Sequence, residues 1–409
     1  MTEINEPLYT VIDTPSYKEM DQRYIAHTYG RQDVCFVKGE GTFLYDQKGK
    51  KYIDLGSGIG VTAFGFQDSV WLDAVTKQAA QLSHVSNLYY TQPQAILAKK
   101  LCEKTGMKKV FFSNSGAEAN ECAIKGARKY SSDRYGEGRN VILTLENSFH
   151  GRTITTLSAT GQAVFHQHFG PFTEGFIHTP ANDIEAFYQA AANDRVCAVM
   201  LEMIQGEGGV LPLCPEFVQK AAAYAKAHDL LLIVDEVQTG NGRTGTFFAW
   251  EQFGIAPDIV STAKGLGGGL PIGATLFNEK TEAVFQPGDH GSTFGGNPIC
   301  AAAAISIVDR LTDELLAEVK AKGEYLKETF ADCPGVKSVA GMGLMIGIET
   351  EAPPKDCIAA CLEAGVVVLS AKNKIRLLPP LVIEWDVLRE AAETIKAVIA
   401  KEAERMSVK

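Results

Sequence analysis

LLLIVDEVQTG, at residues 230–240, is the stretch that decides the fold. Its five leading residues are apolar, and two adjacent carboxylates, Asp235 and Glu236, follow them directly. A continuous apolar run, without polar alternation, is typical of a strand that is buried on both faces of a parallel sheet. Three further runs of this kind occur at 141–145 (VILTL), 196–201 (VCAVML) and 259–262 (IVST).

Helical patterns separate these strands and predict an α/β fold. Apolar residues recur at helical spacing over 183–193 and 215–228, and such alternation of strand and helix predicts a mostly parallel sheet. The chain has 409 residues. A single domain usually has ~50–200 residues, so two domains are expected. We predict a large α/β domain at 61–310 and a smaller α+β domain formed by 1–60 together with 311–409.

The two ends of the chain carry the predicted elements of the smaller domain. Residues 42–55 (TFLYDQKGKKYIDL) predict a hairpin that turns at 47–49. The C-terminal part predicts a helix at 311–333, one strand at 336–349, one strand at 366–378, and a terminal helix at 385–405.

Composition and charge exclude several classes of protein. Hydrophobic residues make up 45% and charged residues 22%, as in ordinary globular enzymes. The formal net charge of −10 argues against nucleic-acid and anionic-membrane partners, because phosphate-rich surfaces repel an acidic protein. No secretory signal and no apolar run near the ~20 residues of a membrane span is visible, so a soluble, cytoplasmic protein is expected. Nine scattered cysteines without a CxxC pair predict reduced thiols.

The first candidate binding element is FFSNSGAEAN, at 111–120. Ligands of open parallel α/β sheets bind at the carboxyl ends of the strands. Ser115 and Glu118 fit a capping box at the start of a helix, and Gly116 lets the backbone approach an anion. Free amides at such a helix start favour phosphate. A plain helix cap explains the same residues without a ligand, so both interpretations stay open for this motif alone.

The carboxylates that end the strand at 230–234 form the second candidate. Successive strand residues face opposite ways, so one of Asp235 and Glu236 is expected to point into a site and the other away from it. The inward carboxylate would hold a protonated heterocyclic nitrogen or a metal ion, or serve as a Walker-B-type acid. No GxxxxGK[ST] motif precedes it, which argues against a P-loop enzyme.

Lys264 is the candidate nucleophile. It follows the predicted strand at 259–262 and precedes the glycines at 265 and 267–269. A lysine at a crowded strand end loses charge on desolvation, which suits Schiff-base chemistry. A surface lysine in a flexible loop is the alternative.

Three other patterns carry less information. NSFHGRT, at 147–153, offers a ring, an imidazole and a guanidinium at a strand end, but a polar loop with one packed Phe is the better explanation of this motif taken alone. GIGVTA, at 58–63, has the form of a dinucleotide fingerprint, yet it follows the polar-rich hairpin and lacks a βαβ context. His166 and His168 have no third ligand nearby, so no metal site is expected.

Six motifs, in order and in register, resemble the class III, ornithine-type aminotransferases of fold type I, which depend on pyridoxal phosphate (PLP). They are SGAEAN (115–120), FHGRT (149–153), QGEGG (205–209), DEVQTGNGRTG (235–245), AKGLGGG (263–269) and STFGGNP (292–298). The resemblance runs from about residue 29 to the C-terminal helix. Residues 27–46 and 86–94 most resemble the acetylornithine subgroup of that family.

The resemblance implies a cofactor site. Lys264 would bind PLP as a Schiff base and shuttle a proton, while Asp235 would pair with the pyridinium nitrogen. Gln238 would hydrogen-bond the phenolic oxygen, and Phe149 would stack on the ring. The phosphate ligands would be Ser115, Gly116, Ala117 and, from the neighbouring subunit, Thr293. Such a shared site implies a homodimer.

The resemblance also implies how two substrates are bound. Arg152 would bind the α-carboxylate of acetylornithine and Arg376 that of glutamate or 2-oxoglutarate, because guanidinium groups pair bidentately with carboxylates. Glu207 would cover Arg376 during the donor half-reaction and swing away when an α-carboxylate competes, with a solvated loop acid as the alternative. Ser292 is also implied to bind substrate.

The implied activity is transfer of the terminal amino group of N2-acetylornithine to 2-oxoglutarate, a step of arginine biosynthesis. Ornithine, succinylornithine, N-succinyl-diaminopimelate and 4-aminobutyrate are alternative donors. An aminomutase on the same fold would leave Arg376 without a purpose, and a non-enzymatic binding module would not need Lys264. Two departures from the family pattern, Met203 and GFQDS at 65–69, lie near the expected substrate entrance.

Overall fold

The strands of the computed structural model, which describes residues 14–407, fall into four sheets. In chain order they are β1 (Phe36–Glu40), β2 (Phe43–Asp46), β3 (Lys51–Asp54), β4 (Lys109–Ser113), β5 (Val141–Leu145), β6 (Phe176–Thr179), β7 (Val196–Leu201), β8 (Ile204–Gln205), β9 (Leu211–Pro212), β10 (Leu231–Asp235), β11 (Ile259–Thr262), β12 (Gly273–Phe277), β13 (Val336–Met342), β14 (Met345–Thr350), β15 (Val366–Val367), β16 (Leu369–Ala371) and β17 (Lys374–Leu377).

The helices flank these sheets. They are α1 (Thr14–Tyr24), α2 (Ser57–Gly60), α3 (Ser69–Gln81), α4 (Gln92–Thr105), α5 (Gly116–Tyr135), α6 (Ile154–Ala159), α7 (Ile184–Ala191), α8 (Pro215–Ala227), α9 (Pro298–Val308), α10 (Asp313–Ala331), α11 (Pro354–Glu363) and α12 (Trp385–Ser407). None of the helices in residues 14–407 combines the length and the apolar composition that a bilayer span requires.

The large sheet has the order β4-β12-β11-β10-β7-β5-β6. Its pairs are parallel except for those of β12, which runs antiparallel to β11 and β4. The predicted α/β fold with a mostly parallel sheet is therefore confirmed.

Strand β10 shows why its sequence is continuously apolar. Leu231 and Ile233 pack in the core cluster that contains α5, whereas Leu232 and Val234 pack in the cluster that contains α7 and α8. Both faces of the strand are thus buried under helices, and neither face has a place for polar residues. The strand begins one residue later than predicted, because the Leu230 amide bonds to Ala225 O at the end of α8.

The smaller sheets come from both ends of the chain. The predicted hairpin at 42–55 is present as β2 and β3, which pair antiparallel. β15 then pairs in parallel with β3, which joins the N-terminal and C-terminal parts. The division into domains at residues 60 and 310 stays a prediction, and residues 1–13 and 408–409 of the predicted smaller domain lie outside the described residues.

The expectation of one strand over 336–349 was wrong, because this stretch forms the antiparallel pair β13 and β14. The expectation of one strand over 366–378 was wrong as well. The stretch contains β15, β16 and β17, and these belong to two sheets. β15 continues the hairpin sheet, whereas β17 pairs antiparallel with both β14 and β16. A tight turn at Lys372, with a φ of 49°, reverses the chain between β16 and β17, so a single strand cannot form.

Candidate active site

A cavity of about 470 Å³ lies beside the carboxyl ends of β4, β5, β7, β10 and β11. This is the edge of the sheet where ligands of parallel α/β proteins bind. The predicted site residues that line it are Ser115, Gly116, Ala117, Phe149, Arg152, Asp235, Gln238 and Lys264. The fold therefore brings motifs as distant in the sequence as those of Ser115 and Lys264 into one cavity.

The start of α5 forms one end of the cavity. Ser115 is the N-cap, and its Oγ accepts the Glu118 amide at 3.2 Å. A carboxylate oxygen of Glu118 accepts the Asn114 amide at 3.0 Å. This is a capping box in which the amide that donates to the glutamate lies one residue before the N-cap. The amides of Gly116 and Ala117 belong to the first turn and have no intrahelical acceptor. This arrangement suits an anion.

Gly116 is required by packing as well as by ligand access. A Cβ added there would lie 2.6 Å from Val237 Cγ1, in the turn that follows β10. The start of α5 therefore rests directly against the strand end that carries Asp235, so the two halves of the candidate site are fixed relative to each other.

Asp235 is the carboxylate that faces the cavity. It is 4% exposed, and its Oδ2 accepts Asn120 Nδ2 at 2.7 Å and His150 Nδ1 at 2.8 Å. Its Oδ1 accepts the Val237 amide at 3.0 Å. Three donors therefore fix the position of this buried carboxylate at the cavity wall.

His150 and Asn120 were not among the predicted site residues. Burial acts to lower the pKa of His150, but the hydrogen bond and the charge of Asp235 outweigh it, so the pKa lies above its usual range. His150 Nε2 is buried without a hydrogen-bond partner in residues 14–407. The imidazole in FHGRT was a visible signal, whereas Asn120 carried none beyond its place in SGAEAN.

Glu236 points away from the cavity, as strand alternation requires. It accepts Thr239 Oγ1 at 2.6 Å and the Trp250 amide at 2.9 Å, and burial raises its pKa to about 7. The structure thus decides which of the two carboxylates faces the site. Within residues 14–407 no group of three or more His, Cys, Asp or Glu side chains is arranged to hold a metal ion.

Lys264 lines the cavity from a short 3-10 turn, Lys264–Leu266, directly after β11. Its backbone lies in the left-handed region, with a φ of 46°, which costs a non-glycine residue roughly 1–2 kcal/mol. Burial lowers the pKa of its amine, and the carboxylates of Glu207 and Asp235 oppose this only in part. A larger fraction of uncharged amine makes a better nucleophile.

Glu207, Gln238 and Arg376 form a cluster beside the cavity. Arg376 is 3% exposed, and its Nη1 lies 2.5 Å from Glu207 Oε1 and 3.0 Å from Gln238 Oε1. Gln238 Nε2 donates to Glu207 at 3.2 Å. Burial acts to raise the pKa of Glu207, but the charge of Arg376 and its hydrogen bond lower it below the usual range. Glu207 is therefore an ion-pair partner and not a solvated loop acid.

The glycines beside Glu207 are enforced by close packing. A Cβ at Gly206 would lie 2.4 Å from Gln238 Oε1, and one at Gly208 would lie 2.7 Å from Asn147 O. Glycine at these two positions is what allows the loop to pack against Gln238 and Asn147.

Glu202 is a further cavity residue that was not predicted as part of the site. It follows β7, and its carboxylate accepts the Phe149 amide at 2.8 Å and the Gly206 amide at 3.3 Å. Burial raises its pKa to about 7. Glu202 thus joins the loop of Phe149 to the loop of Glu207.

The remaining predicted residues lie at the rim or outside it. Arg152 is exposed at the rim, over the rings of Phe149 and Phe165. Ser292 does not line the cavity, but its Oγ is 3.2 Å from Nδ2 of Asn114, which does. Thr293 is exposed and does not line the cavity of its own chain.

PLP, the cofactor that the resemblance implies, fits these residues. The cavity volume is in the range of small-molecule sites, roughly 300–1,000 Å³. It presents open amides at a helix start for a phosphate, a buried carboxylate held by three donors for a protonated ring nitrogen, and an amine with a lowered pKa for covalent attachment.

The chain matches the family described as Aminotransferase class-III over residues 24–399. It is 50% identical to acetylornithine aminotransferase of Haemophilus ducreyi, over 94% of this chain and 98% of the relative, and 43% identical to that of Methanothermobacter thermautotrophicus, over 95% and 100%. Similar solved structures include ornithine aminotransferase from Toxoplasma gondii (TM-score 0.93, 30% identity, 97% of both chains) and acetylornithine aminotransferase from Elizabethkingia anophelis (TM-score 0.86, 33% identity, 96% and 100%).

Proposed function

Because this chain belongs to the class-III aminotransferases, which depend on PLP, we propose that it transfers the terminal amino group of N2-acetylornithine to 2-oxoglutarate. The products are N-acetylglutamate 5-semialdehyde and glutamate. The observation that carries the proposal is the ion pair of Glu207 and Arg376 beside Lys264. Glu207 would neutralise the buried arginine while the cavity holds a donor that has no carboxylate near its reacting amine. The relatives at 43–50% identity, which are acetylornithine aminotransferases, favour this donor.

PLP, when bound, accepts the amino group and withdraws electrons from the carbon that carries it. Lys264 would attach it covalently. The open amides of Gly116 and Ala117 would hold its phosphate together with the Ser115 hydroxyl, which would turn to the phosphate from Glu118 Oε2, 3.0 Å away. Phe149 would lie against its ring. Asp235, whose carboxylate accepts hydrogen bonds from Asn120, His150 and the Val237 amide, would pair with its protonated ring nitrogen.

Lys264 would also move the proton. Its lowered pKa leaves a fraction of the amine neutral, so Nζ can take the proton from the reacting carbon of the substrate and return it on the other side of the transfer. The position of Lys264 at the end of β11, on a short turn, keeps Nζ within the cavity.

The two arginines would divide the carboxylates between them. Arg152 at the rim would bind the α-carboxylate of N2-acetylornithine, whose reacting amine lies at the far end of the molecule. Arg376 would bind the α-carboxylate of glutamate or 2-oxoglutarate, after that carboxylate displaces Glu207. Ser292, which contacts Asn114, would complete the substrate site.

We also propose a homodimer in which Thr293 serves the phosphate of the neighbouring subunit. Thr293 is exposed beside a group of exposed apolar side chains: Leu88 (87% exposed), Tyr89, Tyr90 and Phe294. The segment 86–90 is tied to this region because Asn87 Nδ2 donates to Ser292 O and to Gly295 O. A cluster of exposed large apolar residues marks an interaction surface. The proposed reaction belongs to arginine biosynthesis, and we expect the enzyme in the cytoplasm.

A donor panel tests the proposed activity. The PLP-loaded protein is assayed with N2-acetylornithine, ornithine, succinylornithine, N-succinyl-diaminopimelate and 4-aminobutyrate, each with 2-oxoglutarate. We expect the kcat/KM of N2-acetylornithine to exceed that of ornithine and 4-aminobutyrate by at least about tenfold, or about 1.4 kcal/mol of transition-state binding. A higher value for another donor would replace the proposed one. Turnover that continues without 2-oxoglutarate would indicate an aminomutase.

A further inference from the structure

We propose that Phe165 is a positioning residue that holds the guanidinium of Arg152 in place for the carboxylate of the amino donor. The inference rests on the proposed function, because it concerns how the donor site binds its substrate. Neither the motifs nor the predicted site residues include Phe165, which lies in a 3-10 turn, Ala163–Phe165, between α6 and β6.

The contact is a cation over an aromatic face. Arg152 Cζ lies 4.1 Å from the ring centroid of Phe165 and 5.5 Å from that of Phe149. The two rings meet edge to face, with centroids 5.8 Å apart and an interplanar angle of 75°. The ring that would lie against the cofactor and the guanidinium that would bind the donor therefore share one neighbour, Phe165.

Arg152 has little else to hold it. Its side chain is exposed, and within residues 14–407 its guanidinium makes no hydrogen bond and no ion pair. An exposed arginine without partners loses much rotamer freedom when it binds a ligand, which weakens binding. A ring face restrains the guanidinium without using its N–H groups, so all of them stay available for a bidentate carboxylate contact.

Phe165 itself is fixed by the segment before it. The buried side chain of Gln162 donates to Ser148 O at 3.0 Å, and the Gly161 amide donates to Ser148 Oγ at 3.0 Å. The Phe165 amide then bonds to Gln162 O at 3.0 Å. On the other side of the turn, His166 Nε2 lies 2.8 Å from Leu157 O.

Its partial exposure separates Phe165 from ordinary core residues. The preceding residue, Val164, is 65% exposed, whereas Phe165 is half-buried against Phe149 and Arg152. Phe165 contacts two residues that line the cavity, Phe149 and Arg152, and belongs to none of the apolar core clusters of residues 14–407. It is therefore placed to orient that arginine.

The test compares two donors that differ by the carboxylate. N2-acetylornithine carries the α-carboxylate that Arg152 would bind, and N-acetylputrescine is the same molecule without it. The measured quantity is the kcat/KM of N2-acetylornithine divided by that of N-acetylputrescine. It is determined in the wild type, in Phe165→Leu and in the conservative variant Phe165→Tyr. We expect the ratio to fall by about three- to tenfold in Phe165→Leu and to be restored in Phe165→Tyr, which keeps an aromatic face.

A crystal structure of Phe165→Leu supplies a second measurement that does not depend on turnover. We expect the Arg152 guanidinium to leave the Phe149 ring or to occupy more than one position. An unchanged ratio, or equal losses with both donors, overturns the inference, and so does an Arg152 that stays in place without the ring. If the wild type uses neither acetylated donor, the proposed function fails, and the position of Arg152 in the variant alone decides this inference.

Discussion

At the scale of single residues, the site depends on charges placed where burial opposes them. Arg376 is almost fully buried, and Glu207 supplies the opposite charge at 2.5 Å. Breaking such a pair by removing one partner leaves an uncompensated buried charge, which is costly. An α-carboxylate in the cavity would replace the lost partner, so we propose that the Arg376 site is matched to a substrate that brings its own anion.

Glu207→Ala tests this exchange. Without Glu207, Arg376 stays free, so we expect the glutamate half-reaction to hold or improve. The N2-acetylornithine half-reaction should fall by roughly ten- to a hundredfold, which corresponds to about 1.4–2.8 kcal/mol. Single-turnover absorbance measurements of each half-reaction separate the two effects.

Glu207→Gln is the matched control, because it keeps a hydrogen-bonding side chain of the same length but removes the charge. It should shift the two half-reactions in the same directions as Glu207→Ala and to a smaller extent. Equal losses in both half-reactions, or no change in either, would show that Glu207 does not gate Arg376.

At the scale of secondary-structure elements, the start of α5 and the end of β10 act as one unit. Gly116 lies against Val237, and Asn120, one turn further along α5, donates to Asp235. The phosphate end and the ring-nitrogen end of the proposed cofactor site are thereby held at a fixed separation. This coupling exists because α5 packs on the sheet at the end of β10. Neither the motif of Gly116 nor that of Asp235 would produce it without that packing.

Gly116→Ala tests the coupling. The added methyl would lie 2.6 Å from Val237 Cγ1, so the start of α5 must shift. We expect PLP affinity, measured by titration of the apoprotein, to fall roughly tenfold, or about 1.4 kcal/mol, within the range known for overpacking. The double variant Gly116→Ala/Val237→Ala removes the clash and should recover most of that affinity. If the double variant binds PLP as weakly as Gly116→Ala, the loss has another cause than this contact.

At the scale of the whole molecule, one chain carries only part of the proposed phosphate site. Thr293 lies outside the cavity of its own chain, next to the exposed apolar side chains at 88–90 and Phe294. A two-fold dimer would cover this surface and bring the Thr293 of each chain to the other.

Mixing two inactive variants tests the shared site. In a hybrid dimer of Lys264→Ala and Thr293→Trp, one site receives Lys264 from one chain and Thr293 from the other, and is intact. Activity of a refolded equimolar mixture should approach about one quarter of the wild-type value, because about half of randomly assembled dimers are hybrids with one working site. Fully active monomers in size-exclusion chromatography, or a mixture that stays inactive, would contradict the shared site.

The sequence by itself determined the elements and the order of the motifs. Strand and helix patterns are local, since they depend on the period of apolar residues over five to fifteen positions, and they placed the buried strands, the start of α5 and the strand-end position of Lys264. Motif chemistry also singled out the pair Asp235 and Glu236, and alternation along the strand required that only one face the site.

Only the tertiary structure decided which groups meet. It turned Asp235 into the cavity and Glu236 away, and it brought Asn120 and His150, 115 and 85 residues distant in the sequence, onto one carboxylate. It also broke 366–378 into three strands and placed Phe165 over Arg152. These contacts depend on how helices pack on the sheet and how loops cross its edge. The local periodicity of the sequence does not determine which residues from distant parts of the chain lie close together.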